Sequence, residues 1–202
     1  MPTTTAPSTT AGSSLYERAM SDAFVLVTGN DDKWREAQRI LGRPLAREKL
    51  DLPEIQAATT AEVALHKARA AFELLRRPVI VEDAGVELRA FGGFPGPFIK
   101  YWETLGGLAS ICRAADGAGE RGITAVCVLG VCTAEGSYVV EGRSEGSLAD
   151  RPRGTNGFGW DAIFVPEGDT RTFGEMSGEE KDRVSHRRRA WEQLAKKIGA
   201  TA

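Results

Sequence analysis

The sequence has no long hydrophobic run, no excess of charge of one sign and few cysteines, and each absence excludes a class of protein. No apolar segment approaches the roughly 20 residues that span a bilayer, so we expect no membrane association. A formal net charge of −2 gives no electrostatic reason to expect nucleic acid as the partner. Cys112, Cys127 and Cys132 form no CxxC pair, which indicates buried thiols rather than disulfides or a zinc site. These properties predict a cytoplasmic protein.

The composition is that of a soluble globular protein. The chain has 202 residues, of which 42% are hydrophobic and 27% charged, which suits one domain or one domain in two lobes. Its first 14 residues are an uncharged tract, mostly Thr, Ser, Ala and Pro, without the basic and apolar regions of a secretory signal. We predict a disordered tail over residues 1–21 and a folded domain over residues 22–202.

An acidic pair follows a short, fully apolar segment in the first half of the chain. Residues 79–81 are β-branched and predict a buried strand, and Glu82 and Asp83 come directly after them. Gly85 allows the backbone to turn, so we expect the strand to end at the pair. Adjacent strand side chains point to opposite faces, so both carboxylates face one ligand only if the strand bends there. The pair predicts a hard cation or an activated water, and a solvated turn is an equally good alternative.

A strand, a small-residue turn and a helix form a candidate anion site near the N-terminus. Residues 23–27 predict a buried strand, residues 28–30 (Thr-Gly-Asn) the turn, and Asp31 the start of a helix that ends at Gly42. Such a turn points backbone N–H groups at an anion, and Lys33 adds a positive charge. The segment matches neither a Walker A loop nor GxGxxG. The more frequent alternative is that the asparagine merely caps the helix.

One lysine interrupts the apolar face of the next helix. Thr59 or Thr60 caps a predicted amphipathic helix from about Ala61 to Arg77. Lys67 falls within its apolar arc. The side chain either extends from the edge of that face to solvent or reaches into an anion site. We favour the anion site, because the helix leads directly into the acidic strand.

The second half of the chain alternates predicted strands with glycine-rich loops. Residues 91–102, rich in Gly, Pro and aromatics, predict a rigid loop that forms a wall, a dimer surface or a structural corner. Strands are predicted over residues 123–132, 137–141, 145–148 and 162–166. In the loop before the last strand, Phe158 and Trp160 flank a glycine and predict stacking on a planar base, or alternatively a plug that closes the core.

The last predicted helix carries a cation on its apolar side. Ser177 and Glu180 fit a capping box, and the apolar pattern continues to Ile198. Lys181 and His186 flank this face, whereas Arg187 lies within it. A guanidinium in an apolar arc requires a bidentate acceptor.

Taken in order, these segments resemble the inosine triphosphate pyrophosphatases. The matching motifs are TGNDDKWREAQRILG, LDLPEIQ, VEDAG, GGFPGPFIKYW, FGWDAIFVP and EMSGEEKDRVSHRRRAW, which together cover roughly Phe24 to Ile198. The resemblance implies an α/β fold with a long, strongly curved mixed sheet, flanking helices in two lobes and a central active-site cleft. It also implies a Mg²⁺-dependent homodimer that hydrolyses purine nucleoside triphosphates with a 6-oxo base (ITP, dITP, XTP) to the monophosphate and pyrophosphate.

The resemblance also assigns the site, residue by residue. It implies a catalytic role for Asp83, as Mg²⁺ ligand and general base, and for Lys67, as a phosphate contact. The implied substrate-binding residues form a phosphate turn, an acidic strand, a base loop and a C-terminal group. They are Thr28, Gly29, Asn30, Asp31, Asp32, Lys33, Lys67, Asp83, Ala84, Phe158, Gly159, Trp160, Asp161, Lys181, His186 and Arg187.

The sequence departs from the family at one metal ligand. Many members carry a second metal-binding glutamate in a Gly-Glu-Pro context, but residues 56–60 contain no acid here. Glu54, Glu62 and Glu82 are the candidates, and we prefer Glu54 because Glu62 lies on the polar arc of its helix.

Three alternative functions stay open at this point. They are a Maf-like nucleotide pyrophosphatase of other specificity, a catalytically impaired nucleotide-binding homologue, and a nucleic-acid-binding module. The FGWD and SHR segments argue against the first. The missing glutamate favours the second, and the net charge disfavours the third.

Overall fold

The computed structural model of the chain describes residues 24–199, so the predicted tail over residues 1–21 lies outside the described residues. Within this range seven strands form one mixed sheet and six helices pack around it. The strands are β1 (Val25–Val27), β2 (Arg47–Glu48), β3 (Val79–Leu88), β4 (Pro95–Gly96), β5 (Gly122–Thr133), β6 (Gly136–Leu148) and β7 (Phe164–Pro166). The helices are α1 (Asp31–Leu41), α2 (Thr60–Leu75), α3 (Ile99–Gly106), α4 (Leu108–Ala114), α5 (Gly178–Val184) and α6 (His186–Gly199).

The sheet has the order β2-β1-β3-β5-β6-β7, with β4 pairing on β3. β1 runs parallel to β2 and β3, and all other pairs are antiparallel. The mixed α/β architecture expected from the resemblance is therefore confirmed. None of the helices in residues 24–199 is long and apolar enough to cross a membrane.

A gap in one edge of β3 creates the cleft. Val27, the last residue of β1, pairs with Val81, and β4 pairs with β3 again only from Val86 onward. Residues 82–85 therefore have β5 on one side and no strand among the described residues on the other. Gly85 allows the close approach of β4 that closes the gap, since a Cβ there would lie 2.6 Å from the Gly96 carbonyl oxygen.

Side chains alternate between the two faces of β3 and therefore pack in different clusters of the apolar core. Ile80 packs in the cluster that includes Trp191 of α6, whereas Val79 and Val81 pack against α2. Farther along the strand, Val86 and Leu88 belong to a separate cluster with α3 and α4. The two lobes implied by the resemblance correspond to the cores on either side of the gap.

The predicted boundaries of three strands were wrong, because pairing with distant strands determines where these strands begin and end. β3 does not end at the acidic pair, because β5 pairs with it without interruption from Val79 to Leu88. The two strands expected over residues 137–141 and 145–148 are one strand, β6, paired to β5 along its whole length. The strand expected from residue 162 begins at residue 164, after a 3₁₀ turn at Gly159–Ile163. Long-range pairing determined each boundary.

The expected C-terminal helix is two helices. Ser185 has an extended backbone, and its hydroxyl accepts the Arg188 N–H at 3.1 Å, so it caps a second helix. The Ser144 hydroxyl of β6 donates a hydrogen bond to the Val184 carbonyl at 2.6 Å. This bond gives a partner to one of the carbonyl groups at the end of α5. The other predicted helix signals are confirmed: the end at Gly42, a threonine cap (Thr59) at the start of α2 and the capping box at the start of α5. All three cysteines are buried and free, as predicted.

Candidate active site

A cavity of about 720 Å³ opens at the gap in the sheet. Most of the residues implied by the resemblance line it. They are Thr28, Gly29, Asn30, Asp32, Lys33, Glu54, Lys67, Asp83, Ala84, Phe158, Gly159, Trp160, Asp161, His186 and Arg187. Two do not: Asp31 forms ion pairs with Arg47 and Lys49, and Lys181 is buried beneath the lining.

The turn after β1 presents one end of α1 to the cavity. Asn30 caps the helix, because its side-chain oxygen accepts the N–H groups of Asp32 at 2.9 Å and Lys33 at 3.0 Å. The Thr28 hydroxyl accepts the Asn30 N–H at 3.1 Å. Lys33 reaches across the gap and donates to the Glu82 carbonyl oxygen at 3.2 Å. The capping alternative is thus correct, and the turn also places the positive end of α1 and a lysine at the cavity.

Lys67 lies inside the cavity rather than extending to solvent. Its ammonium is 3.2 Å from Asp83 Oδ1 and forms an ion pair with Glu54. Burial raises the pKa of Asp83 above its ordinary value, against the opposing charges of Lys33 and Lys67. Burial works against the charged form of Lys67, but the charges of Asp83 and Glu54 still raise its pKa overall. A carboxylate of raised basicity beside a fixed cation is suited to orienting a water molecule.

Beneath the cavity lies a fully buried network of ion pairs. Arg187 donates bidentately to Glu82, with Nε–Oε2 at 3.0 Å and Nη2–Oε1 at 2.9 Å. The predicted need for a bidentate acceptor is thus confirmed. Glu36 bonds both Arg187 and Lys181, and Lys181 also donates to Asp161 Oδ2 at 2.6 Å. The charges of Arg187 and Lys181 outweigh burial and lower the pKa of Glu36.

Sequence reasoning missed Glu36. It lies in α1, on the turn after Lys33, and its carboxylate is 7% exposed. The available signal was the number of cations, because Arg187 in the apolar arc and Lys181 at its flank require more than one acceptor when both are buried. Which glutamate supplies it depends on the packing of α1 against α6, which the sequence pattern does not contain.

His186 presents an unsatisfied polar edge at the cavity. Neither of its ring nitrogens has a hydrogen-bond partner among the described residues, although both are buried. The ring lies 5.1 Å from Trp160 and is stacked on Phe173 at 6.3 Å. Burial, with the nearby charge of Arg187 as a further cause, lowers its pKa well below the ordinary value. The neutral imidazole therefore retains one donor and one acceptor for a ligand.

The two aromatic residues of the base loop differ in role. Trp160 is buried and packs on Phe164 at 5.8 Å, so it closes a core as well as lining the cavity. Phe158 is half-buried, and its ring lies over Lys181 at 4.9 Å and Arg187 at 5.3 Å. Phe158 is thus the ring that covers the buried cations.

Two carboxylates of the cavity could hold a divalent cation. Glu54 and Asp83 converge on the Lys67 ammonium. Glu62 instead completes the capping box of α2, and both oxygens of Glu82 bond Arg187. No group of three or more His, Cys, Asp or Glu in the described part of the chain has the arrangement of a metal site. Two carboxylates nevertheless fit Mg²⁺, which commonly takes its remaining oxygens from water and substrate phosphates.

One wall of the cavity comes from α3 and the loop before it. Pro97 of the loop and Lys100, Glu103 and Thr104 of α3 line it. The glycine- and aromatic-rich segment before α3 thus forms part of a wall, which was one of the predicted alternatives.

The fold and the cavity define an α/β protein suited to a polyanion that carries a planar base. A model of the Ham1 family matches residues 24–197, and the chain belongs to this family. It is similar to "Inosine triphosphate pyrophosphatase 2" of Trypanosoma cruzi, with 39% identity over 183 residues, 89% of this chain and 93% of that protein. It is also similar to "dITP/XTP pyrophosphatase" of Methanopyrus kandleri, with 41% identity over 176 residues, 85% of this chain and 93% of that protein.

Solved structures of the family share the fold. A HAM1 protein from Coxiella burnetii superimposes with a TM-score of 0.75 at 29% identity, covering 89% of this chain and 98% of that one. A nucleoside-triphosphatase (dITP/XTP pyrophosphatase) from Mycobacterium abscessus has a TM-score of 0.66 at 35% identity, covering 85% of this chain and 98% of that one.

Proposed function

We propose that this chain is a Mg²⁺-dependent pyrophosphatase that hydrolyses ITP, dITP and XTP to the monophosphate and pyrophosphate, removing aberrant purines from the nucleotide pool. The observation that carries the proposal is the meeting of three groups in one cavity. These are the capped turn before α1, the Lys67–Asp83 pair, and the base loop above Arg187. Membership of the Ham1 family, with relatives named for this reaction, supports it.

The triphosphate would bind along the basic side of the cavity. Lys33, Lys67 and Lys100 line it together with the N-terminus of α1. These charges offset those of the phosphates and stabilise the negative charge that develops on the pyrophosphate leaving group. Mg²⁺ held by Glu54 and Asp83 would further neutralise the phosphate oxygens.

Asp83 would act as the general base. A water molecule oriented by its carboxylate attacks the α-phosphorus, Asp83 takes the water proton, and the bond to pyrophosphate breaks. Lys67 fixes the position of the carboxylate through the 3.2 Å contact to Oδ1.

Selection of the base would depend on Arg187 and His186, which form the floor of the cavity. Three of the five guanidinium N–H groups of Arg187 bond Glu82 and Glu36, which leaves two for a ligand. His186 contributes a further donor or acceptor. The O6 atom of a 6-oxo purine accepts hydrogen bonds from these groups. Adenine carries an amino group at that position, which leaves the buried donors without an acceptor.

Two finer features belong to the same proposal. We expect a cytoplasmic protein, and we expect a homodimer. Phe94, Tyr101 and Leu105 are exposed, and Phe94 lies 5.8 Å from Trp102, so an aromatic surface is available beside α3. Light scattering at micromolar concentration tests the dimer, and a mass of one chain would contradict it.

Two alternatives are separated by simple observations. The match to the Ham1 family disfavours a Maf-like enzyme. A catalytically impaired nucleotide-binding homologue would bind ITP without Mg²⁺-dependent turnover.

Asp83→Asn tests the mechanism. We expect pyrophosphate release from ITP to fall at least about a hundredfold, since the variant keeps the shape of the side chain and loses the base. Pyrophosphate and orthophosphate are measured separately, and circular dichroism confirms the fold. Activity within a few-fold of the unsubstituted protein would exclude Asp83 as the base.

A further inference from the structure

We infer that Asp182 is a positioning residue for recognition of the base, because it keeps the guanidinium of Arg39 away from Glu36. Glu36 is the carboxylate that bonds both buried cations beneath the cavity, Lys181 and Arg187. The inference rests on the proposed function and deepens it, since it concerns how the floor that binds the base is held in place. It depends on the competition of two carboxylates for one guanidinium.

Arg39 lies on α1 one turn after Glu36, between two carboxylates. Its guanidinium binds Asp182 of α5 through two hydrogen bonds, one from Nε to Oδ2 and one from Nη2 to Oδ1 at 3.1 Å. The same Nη2 is 3.9 Å from Glu36 Oε1. Hydrogen bonding to Asp182 raises the pKa of Arg39 against the effect of burial, and the charge of Glu36 adds to the rise. Arg39 therefore bonds Asp182 while it stays within ion-pair distance of Glu36.

The oxygen of Glu36 that Arg39 approaches already has a partner. Lys181 donates to this Oε1 at 2.8 Å, and the other oxygen, Oε2, accepts a hydrogen bond from Arg187. The carboxylate is 7% exposed, so water screens the charges around it only weakly. A third cation bound to Glu36 would repel Lys181 and weaken both existing bonds.

Lys181 connects this competition to the base loop. Its ammonium also donates to Asp161 Oδ2 at 2.6 Å, and the same oxygen accepts the Phe158 N–H at 2.8 Å. A weaker bond to Glu36 would therefore shift Lys181 and, through Asp161, the aromatic ring that covers the buried cations. The proposed general base pairs with Lys67 instead, so we expect an effect on KM rather than on kcat.

Two substitutions and their combination separate this role from a simple link between helices. In Asp182→Asn we expect the Arg39 guanidinium to move to Glu36, so that KM for ITP rises about tenfold at an unchanged kcat. In Arg39→Gln the KM should stay within about threefold of the original value, because Glu36 keeps both of its cations. The double variant should also stay within about threefold, since it removes one charge of each sign. Arg183→Gln, which changes the exposed neighbour of Asp182, is the control and should leave KM and kcat unchanged.

Binding of IMP gives a readout that does not depend on turnover. IMP carries the same base as ITP, and calorimetry in the presence of Mg²⁺ measures its dissociation constant for every variant. We expect binding about tenfold weaker in Asp182→Asn alone, with a similar fall in the preference for IMP over AMP. Urea denaturation checks the fold of each variant. If Asp182→Asn does not fold, the double variant carries the test, because removal of the Arg39 guanidinium should restore both folding and IMP binding.

The other outcomes contradict the inference. Equal losses in the two single variants, or no recovery in the double variant, would mean that the ion pair merely links α1 and α5. Unchanged IMP binding in Asp182→Asn would mean that Arg39 does not reach Glu36, and a lower kcat at unchanged KM would mean an effect on catalysis instead. Failure of the unsubstituted protein to release pyrophosphate from ITP would refute the proposed function, and the IMP measurements would still decide the inference.

Discussion

At the scale of residues, the site depends on a few buried charges that share partners. Glu36 bridges Lys181 and Arg187, and Glu82 holds the other side of the guanidinium. Burying these groups separately would cost several kcal/mol each, so each carboxylate matters chiefly because its loss leaves a cation uncompensated. The network therefore couples stability to the shape of the base-binding floor.

Glu36→Gln tests this coupling. We expect the free energy of unfolding to fall by about 3 kcal/mol, because two buried cations lose a shared counter-charge. Urea denaturation measures the change. Glu179→Gln, an exposed residue of α5, is the matched control and should stay within about 0.5 kcal/mol. Equal effects of the two substitutions would mean that the buried network contributes nothing specific.

His186 predicts a pH dependence of stability. Its pKa is lowered in the folded state, so the unfolded chain binds the proton more readily than the folded one. Stability is therefore retained above the unfolded pKa of about 6.5 and lost as the pH falls below it, by at most about 1.4 kcal/mol per pH unit. In His186→Phe the decline between about pH 6.5 and 5 should be shallower by that amount. Urea titrations at several pH values measure both slopes, and identical slopes would contradict a neutral buried histidine.

The sequence predicted some residue roles and could not predict others. Lys67 and Arg187 stood out because each placed a cation in an apolar arc. Their partners were harder to assign. Glu82 was attributed to a turn, and Glu36 was not considered, because both contacts join elements that are more than 100 residues apart.

At the scale of elements, the acidic pair lies within a strand rather than after it. Alternation along β3 sends Glu82 toward α1 and α6 and Asp83 toward α2, which is why one meets Arg187 and the other Lys67. Both still line the cavity, because the neighbouring strand is missing at this point among the described residues. Local sequence indicated the strand, but its length was determined by β5.

Gly85→Ala tests the close packing that borders the gap. A Cβ would lie 2.6 Å from the Gly96 carbonyl oxygen and 2.9 Å from Thr60 Oγ1, so β4 or α2 has to move. We expect a loss of about 1–3 kcal/mol of stability, with reduced activity because Ala84 and Pro97, the neighbours of Gly85 and Gly96, line the cavity. Thermal and urea unfolding measure the loss. Gly117→Ala has nothing within 4 Å of its Cβ and should be nearly neutral, and a neutral Gly85→Ala would contradict the packing.

The break between α5 and α6 shows another limit of sequence patterns. A continuous wheel predicted one helix, because Ser185 does not by itself interrupt the apolar periodicity. In the fold, Ser185 caps the second helix and Ser144 bonds the end of the first. The break is thus stabilised by a strand that lies 40 residues earlier in the chain.

At the scale of the whole molecule, the cavity exists because two lobes share one sheet. The cores on either side of residues 82–85 are separate clusters, and the phosphate turn, acidic strand, base loop and α3 wall come together only at their junction. Motif order and the family resemblance predicted the α/β class and most of the lining. A wall was one of three alternatives predicted for residues 91–102, but Glu103 and Thr104 of α3 were not considered, because their contribution depends on how the lobes pack.

A comparison of nucleotides as substrates tests the proposed reaction most directly. The purified protein is incubated with ITP, XTP, ATP, GTP and dTTP in the presence of Mg²⁺, and pyrophosphate and orthophosphate are quantified separately. We predict pyrophosphate mainly from ITP and XTP, at least about a hundredfold faster than from ATP, because adenine leaves the donors of Arg187 and His186 unpaired. Orthophosphate as the main product, or similar rates for all five nucleotides, would contradict the proposed reaction and its base selection.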